Sequence, residues 1–212
     1  IAISSDDSAL ANDDGSSNAN IGIGVNAGND ITTGSENILL GKNVGEKTTT
    51  GEINVAMAYY ALSENLTGSA NVAIGGYSLA DTTASHNTAV GYLAGRNIST
   101  GTYNNAFGRE ALKGNYTSKI TGSYNTGIGY QSGFNLSTGQ YNVLNGYKAG
   151  YNLTTASNTI AIGKEAMSVG ITTGNDNIAI GKLAGNNLTS AYNSVLIGKG
   201  TGANITTGIA NI

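Results

Sequence analysis

The chain has 212 residues, of which 32 are Gly and 11% are charged, and it carries a formal net charge of −3. That balance supplies no strong positive field for nucleic acid. With no Cys, disulfides and thiolate metal sites are excluded. No apolar run approaches the roughly 18 residues of a membrane helix, so no membrane insertion is expected of this segment.

Residues 1–19 read as an acidic lead-in or cap. Asp6, Asp7, Asp13 and Asp14 lie near one another in it, but without the alternating ligands and closing Glu of an EF-hand loop. No metal and no cofactor are expected. Ile1 is not an initiator Met, and the chain closes on Asn211-Ile212, the opening of a further unit. A natural protein that continues beyond this segment is therefore expected.

From residue 20 to 212 the chain repeats. An Asn opens each unit at 20, 37, 54, 71, 87, 104, 125, 142, 158, 177, 193 and 211, at intervals of 17, 17, 17, 16, 17, 21, 17, 16, 19, 16 and 18. Such a period defeats the disorder that Gly, Asn, Ser and Thr would otherwise suggest. Seventeen residues are too few for two helices or a propeller blade, but they fit one β-solenoid coil of short strands and tight turns. The expected fold is all-β, a parallel β-solenoid of about eleven coils. The 21-residue interval after Asn104 predicts an outward loop around Asn115–Lys119.

Within each unit a Gly follows the Asn by four or five residues, with Ala58 departing from the pattern. Before it runs a column of Ile23, Leu40, Met57, Ile74, Val90, Phe107, Ile128, Asn145, Ile162, Ile180 and Ile197. This column reads as core, with Asn145 its polar exception. One residue earlier lies a column of small residues that includes Ala56, Ala73, Ala89, Ala106, Ala161 and Ala179. Adjacent strand residues point to opposite faces, so the small column is expected to face a different partner from the Ile column. Later in each unit Ile98, Leu136, Leu153, Leu188 and Ile205 are expected to fill the core from another wall.

Several motifs yield to the period. The stretch "GIGVNAG" at Gly22–Gly28 looks like a phosphate loop, yet its glycines recur in every coil. His86 is the single His, and neither a catalytic triad nor a zinc site has its partners. No catalytic residues are therefore assigned, and no enzyme is expected. Paired threonines such as Thr32–Thr33 and Thr206–Thr207 admit one alternative, an ice-binding β-solenoid.

The N-x-A-[IV]-G core followed by N-[LI]-[ST]-T-G resembles the head repeats of trimeric autotransporter adhesins, and more closely the repeats of phage tail fibres. The resemblance covers roughly residues 20–212. It implies a left-handed parallel β-roll, a homotrimer around a common axis, and display outside a cell or virion. The implied function is the shaft or head of a tail fibre attached to a host surface through a glycan or protein receptor. A bacterial trimeric adhesin is the alternative. In this setting Ala56, Ala73, Ala89, Ala106, Ala161 and Ala179 are expected to pack at the trimer interface.

A last column follows the Gly: Lys42, Tyr59, Tyr92, Arg109, Tyr130, Tyr147, Lys164, Lys182 and Lys199. Unpaired cations cannot be buried in so thin a core. The chain is therefore expected to turn at Gly and point these residues outward, as a ladder that either contacts a receptor or shields the strands.

Overall fold

The computed structural model describes residues 1–3, 9–12 and 19–211, so Asp6, Asp7, Asp13 and Asp14 lie outside the described residues. One parallel sheet of twelve strands follows chain order and forms a β-solenoid of about eleven turns, with no helix among the described residues. Its strands are β1 (Ala2–Ile3), β2 (Ile21–Ile23), β3 (Ile38–Leu40), β4 (Val55–Met57), β5 (Val72–Ile74), β6 (Thr88–Val90), β7 (Asn105–Phe107), β8 (Thr126–Ile128), β9 (Val143–Asn145), β10 (Ile160–Ile162), β11 (Ile178–Ile180) and β12 (Val195–Ile197).

Strands β2, β3 and β5–β12 end at the column Gly, where the backbone leaves the extended region, with φ of 126° at Gly24 and 133° at Gly91; β4 ends at Ala58, with φ of 95°. Neighbouring coils touch there as well. A Cβ on Gly24 would lie 2.5 Å from the Gly41 carbonyl oxygen. Both the dihedral and the approach require Gly. The expected turn is thus present, and it carries the next side chain away from the strand.

Coils are joined by a buried asparagine ladder. Asn54 donates from its side-chain amide to the Asn37 Oδ1 at 3.0 Å and to the Gly68 carbonyl at 3.0 Å. Its own Oδ1 accepts the backbone N–H of Asn71 at 3.0 Å. Asn71 in turn donates to the Ala84 carbonyl at 2.8 Å and accepts from the Asn87 N–H at 3.0 Å. Each side chain therefore closes its own coil through a corner carbonyl and fixes the start of the next strand. This buried amide column is satisfied along its length, as burial demands.

The ladder also corrects the repeat register. In the coils of β10 and β12 its rungs are Thr159 and Ser194, both fully buried, in place of Asn158 and Asn193. Thr159 and Ser194 donate their N–H groups to the Oδ1 of Asn142 at 2.9 Å and of Asn177 at 3.1 Å, and Ser194 Oγ accepts from the Asn211 side-chain amide at 3.0 Å. Asn158 and Asn193 sit one residue earlier at an exposed corner with φ of 55° and 56°, the left-handed region that Asn tolerates.

The facing of the strand columns is the reverse of the sequence expectation. The middle residue of each strand points inward, and Ala56, Ala73, Ala89, Ala106, Ala161 and Ala179 have no exposure in the single chain. They are core, with no surface to offer a partner. The residues on either side point out of the solenoid: Ile23 is 40% exposed, Phe107 39% and Ile197 63%. Asn145 shares that outer column and is exposed, so its amide needs no buried partner.

Space inside the coil explains the alanines. The inward position after the small residue is Leu62, Leu79, Leu112 or Met167 in four coils and Gly in others, such as Gly95 and Gly133. Coils with Leu62, Leu79 or Met167 carry a polar residue on the facing wall, namely Asn65, Thr82 or Thr172. Coils with Gly95, Gly133 or Gly185 carry Ile98, Leu136 or Leu188 instead. A Cβ on Gly95 would lie 2.9 Å from Leu79 Cδ2 and 3.0 Å from Ile98 Cδ1, so the large side chain already fills that volume. Where both walls are large, as with Leu112 and Ile120, the next coil supplies Gly127, whose Cβ would lie 2.7 Å from Leu112 Cγ. Core volume is thus shared between neighbouring coils, as dense packing requires.

The expected lead-in is also part of the stack where it is described. β1 pairs with β2 through Ala2↔Gly22 and Ile3↔Ile23, and the Leu10 N–H donates to the Ala27 carbonyl at 2.9 Å. Solenoid pairing therefore begins before residue 20. The 21-residue coil behaves as expected: Tyr116 is 61% exposed, and the chain rejoins the stack at buried Ile120, bridged to Ile98.

Two expectations follow. Asn71→Ala strands the Asn87 N–H and the Ala84 carbonyl, at about 1–3 kcal/mol for each buried group left unpaired. Urea unfolding is expected to show that loss, while Asn145→Ile stays within about 0.5 kcal/mol as an exposed change. Ala89→Asp places a charge inside a single chain, and circular dichroism should show loss of the fold itself; a folded chain that merely dissociates would contradict this facing.

Candidate functional site

Three kinds of feature occupy the outer surface: the sheet face, two side-chain ladders and a cleft. The first is the sheet face. Ile21, Ile38, Val55 and Val72 form one outer column and Ile23, Leu40, Met57 and Ile74 the other, and both continue towards β12. The face is apolar over β2–β5 and β10–β12, whereas Thr88, Asn105 and Thr126 make the first column polar over β6–β8 and Asn145 interrupts the second at β9.

The second is the ladder after the Gly turn. Lys42, Tyr59, Tyr92, Arg109, Tyr147, Lys164, Lys182 and Lys199 are exposed and Tyr130 is half-buried. The structure brings the central members together. Arg109 lies between the Tyr92 and Tyr130 rings, 5.9 and 5.8 Å from their centroids. Tyr130 stacks on Tyr147 at 5.4 Å, and the Lys164 ammonium lies 5.6 Å from the Tyr147 centroid. Gly76 interrupts the row, and Tyr77 from the next position bridges to Tyr59 and Tyr92 at 5.5 and 6.4 Å. Lys182 and Lys199 continue the column without a ring beside them.

A second aromatic stack runs along the corner before the asparagine ladder, and it was not read from the sequence. His86, Tyr103, Tyr124 and Tyr141 stack in series with centroid separations of 4.8, 5.0 and 5.0 Å and planes within 6° of parallel. Each has a positive φ, from 57° at Tyr103 to 62° at His86. That region costs an L-residue roughly 1–2 kcal/mol, and ring stacking offsets it by about 0.5–1.5 kcal/mol per pair. The signal was present as an aromatic directly before Asn87, Asn104, Asn125 and Asn142.

The third feature is a cleft of about 520 Å³ at the foot of the inserted loop, lined by Tyr60, Tyr77, Glu64, Asp81, Arg96 and Lys119 among others. Asn115 shapes the loop by accepting at Oδ1 from the N–H groups of Thr117 and Ser118 at 3.1 and 2.6 Å. Lys119 approaches Asp81 at 3.7 Å and ties the loop down. Tyr60 and Tyr77 stack at 5.4 Å with parallel planes. The Arg96 guanidinium sits between Tyr77 and Tyr116, 4.9 and 5.0 Å from the ring centroids. Desolvation raises the Tyr77 phenol above its ordinary pKa, with Tyr59 adding to it and Arg96 opposing, so its hydroxyl remains a neutral donor. On the cleft's edge Glu64 pairs with Lys47 at 2.8 Å, and the Glu64 hydrogen bond raises the lysine pKa.

Threonine hydroxyls in the paired columns are engaged along the stack: Thr49 Oγ1 donates to the Leu66 carbonyl at 2.9 Å and Thr189 Oγ1 to the Thr206 carbonyl at 2.8 Å. No group of three His, Cys, Asp or Glu residues able to hold a metal ion occurs among the described residues. No helix is long and apolar enough to cross a membrane among them either.

The chain is a β-solenoid whose surface presents apolar patches, two aromatic ladders and one loop-shaped cleft; no protein-family model, curated protein or solved structure matches it.

Proposed function

We propose that this chain is a non-enzymatic structural and adhesive segment of a trimeric, extracellular appendage, a phage tail fibre or a bacterial adhesin, that attaches to a host surface. The observation that carries the reading is the pair of apolar patches on the sheet's outer face, over β2–β5 and β10–β12, where Ile23, Ile74 and Ile197 are exposed. Contiguous exposed apolar surface beyond a few hundred Å² marks an interaction site in soluble proteins. The two columns of the face differ in β2, β5, β7, β8 and β12, where the first is half-buried and the second exposed. An arrangement that sets the first column of one copy against the second of the next is a heterologous contact, which forms a ring where its rotation closes. Three copies is the number that the resemblance to tail-fibre and adhesin repeats implies.

The interface in this reading is the Ile and Val columns instead of the alanines. Host contact falls to the ladder of Tyr59, Tyr92, Arg109, Tyr130, Tyr147, Lys164, Lys182 and Lys199, where aromatic faces suit sugar rings and cations suit acidic groups. The ladder lies past the Gly turn and stays open when the sheet faces pack.

Light scattering at micromolar concentration is expected to give three chains per particle, and a monomer would overturn the assembly. Ile74→Asp with Ile128→Asp is expected to yield a folded monomer, since both side chains are exposed in the single chain. Replacing Tyr92, Tyr130 and Tyr147 together by Ser is expected to weaken binding to host cells or a glycan array. Unchanged binding by a folded trimer would make that face a passive shaft.

A further inference from the structure

We infer that the cleft beneath the inserted loop is a binding site for a sugar acid, a saccharide unit carrying one carboxylate such as a uronic or sialic acid. The inference deepens the attachment reading and rests on it for its biological meaning, but it concerns residues outside the Tyr and Lys ladder.

Charge selects the ligand's sign. Of the charged groups that line the cleft, Lys119 is matched by Asp81, and Glu64 is matched by Lys47. Arg96 has no carboxylate within ion-pair distance among the described residues. Its Nε is buried and makes no hydrogen bond within the chain. Among the described residues, Arg96 is the one cation on the lining without a carboxylate partner, in a cleft of about 520 Å³. Volumes of about 300–1,000 Å³ are ordinary for small-ligand sites. A carboxylate fits the guanidinium fork in a two-bonded geometry that a Lys cannot reproduce.

The remaining walls select a sugar over a bare anion. Tyr77 lines the cleft and, with Tyr116 outside its lining, clamps Arg96 from two sides and holds its fork in place. Tyr60 adds a further aromatic ring, while Ser63 and Thr83 add hydroxyls. Glu64 and Asp81 accept hydrogen bonds from ligand hydroxyls. The same two carboxylates repel a multiply charged phosphate, for which a single unmatched cation is too little. A polyhydroxylated ring with one negative charge satisfies every group on the walls.

The site exists because of the insertion. Tyr116 and Lys119 belong to the longest repeat interval of the chain, 21 residues, whereas Tyr60, Tyr77 and Arg96 belong to the coils of β4, β5 and β6. The loop thus folds back over three earlier coils and turns a uniform wall into a local cleft.

The test is calorimetric or saturation-transfer titration of the whole chain with methyl β-glucuronoside, methyl α-N-acetylneuraminide, methyl β-glucoside and inorganic phosphate. Saturable binding of at least one of the two acids is expected, at least tenfold tighter than the neutral glucoside or phosphate. Arg96→Gln is expected to weaken that binding at least tenfold. Tyr116→Ser, in an exposed loop where folding is not at stake, is expected to weaken it several-fold. Absence of saturable binding by both acids overturns the inference, as does equal or tighter binding of phosphate or the glucoside. Arg109→Gln separates the two surfaces. If it abolishes acid binding while Arg96→Gln and Tyr116→Ser leave it intact, the cleft is overturned and the ladder is the site.

Discussion

Every coil of this protein depends on one interaction, the asparagine side chain that is bonded to its own corner and to the next strand at once. Strands of three residues pair too briefly to define their own alignment. The Oδ1 of each rung accepts the N–H of the next, as from Asn37 to Asn54, and this locks position 17 residues apart with no help from strand length. The amide's other bond, as from Asn37 to the Gly51 carbonyl at 2.9 Å, closes the corner so that the coil cannot splay. A hydroxyl can hold a rung's place, as Thr159 and Ser194 do, but it does not pass the bond onward in the same way. These rungs are never consecutive, and each follows an Asn.

Given that clamp, the interior has little freedom. The inner wall of the strands carries Ala at six of the eleven levels from β2 to β12, where the opposite walls project larger side chains into the same space. A large residue at one level is answered by Gly or a polar residue at the same or the adjacent level, as Leu112 is by Gly127. Stability in such a stack is a sum of neighbour terms, and volume is conserved between neighbours instead of within each repeat. That is why no single repeat copy reads as a complete core.

Much of the architecture was legible from the sequence. The period, the outward turn at Gly and the extruded loop at Asn115–Lys119 all follow from spacing and from the cost of burying cations. The facing of the strand columns was not legible by size alone. Ile23, Ile74 and Ile128 are large and apolar, which suggests core, yet a strand this short between two turns can present them outward while Ala73 and Ala89 fill a narrow interior. Nor were the corners read in full. Asn and Gly suit left-handed corners, yet Ile53, Tyr103, Glu110 and Leu79 adopt them too. The N–H groups at such corners bond to an adjacent coil, as Ile53 does to the Ser35 carbonyl at 3.0 Å and Leu79 to the Ala94 carbonyl at 3.0 Å, so tertiary bonding overrides local preference. The cleft escaped entirely, because its residues come from four coils and no one motif contains them.

The bridge between Ile98 and Ile120 spans 22 positions where the ordinary coil needs fewer, yet strands β6, β7 and β8 remain in unbroken register. Extra chain leaves the stack sideways and returns without altering its pitch. Length and surface chemistry are thereby uncoupled. The stack keeps its pitch across this coil, so the side loop can change in composition while the sheet beneath it is left as it is.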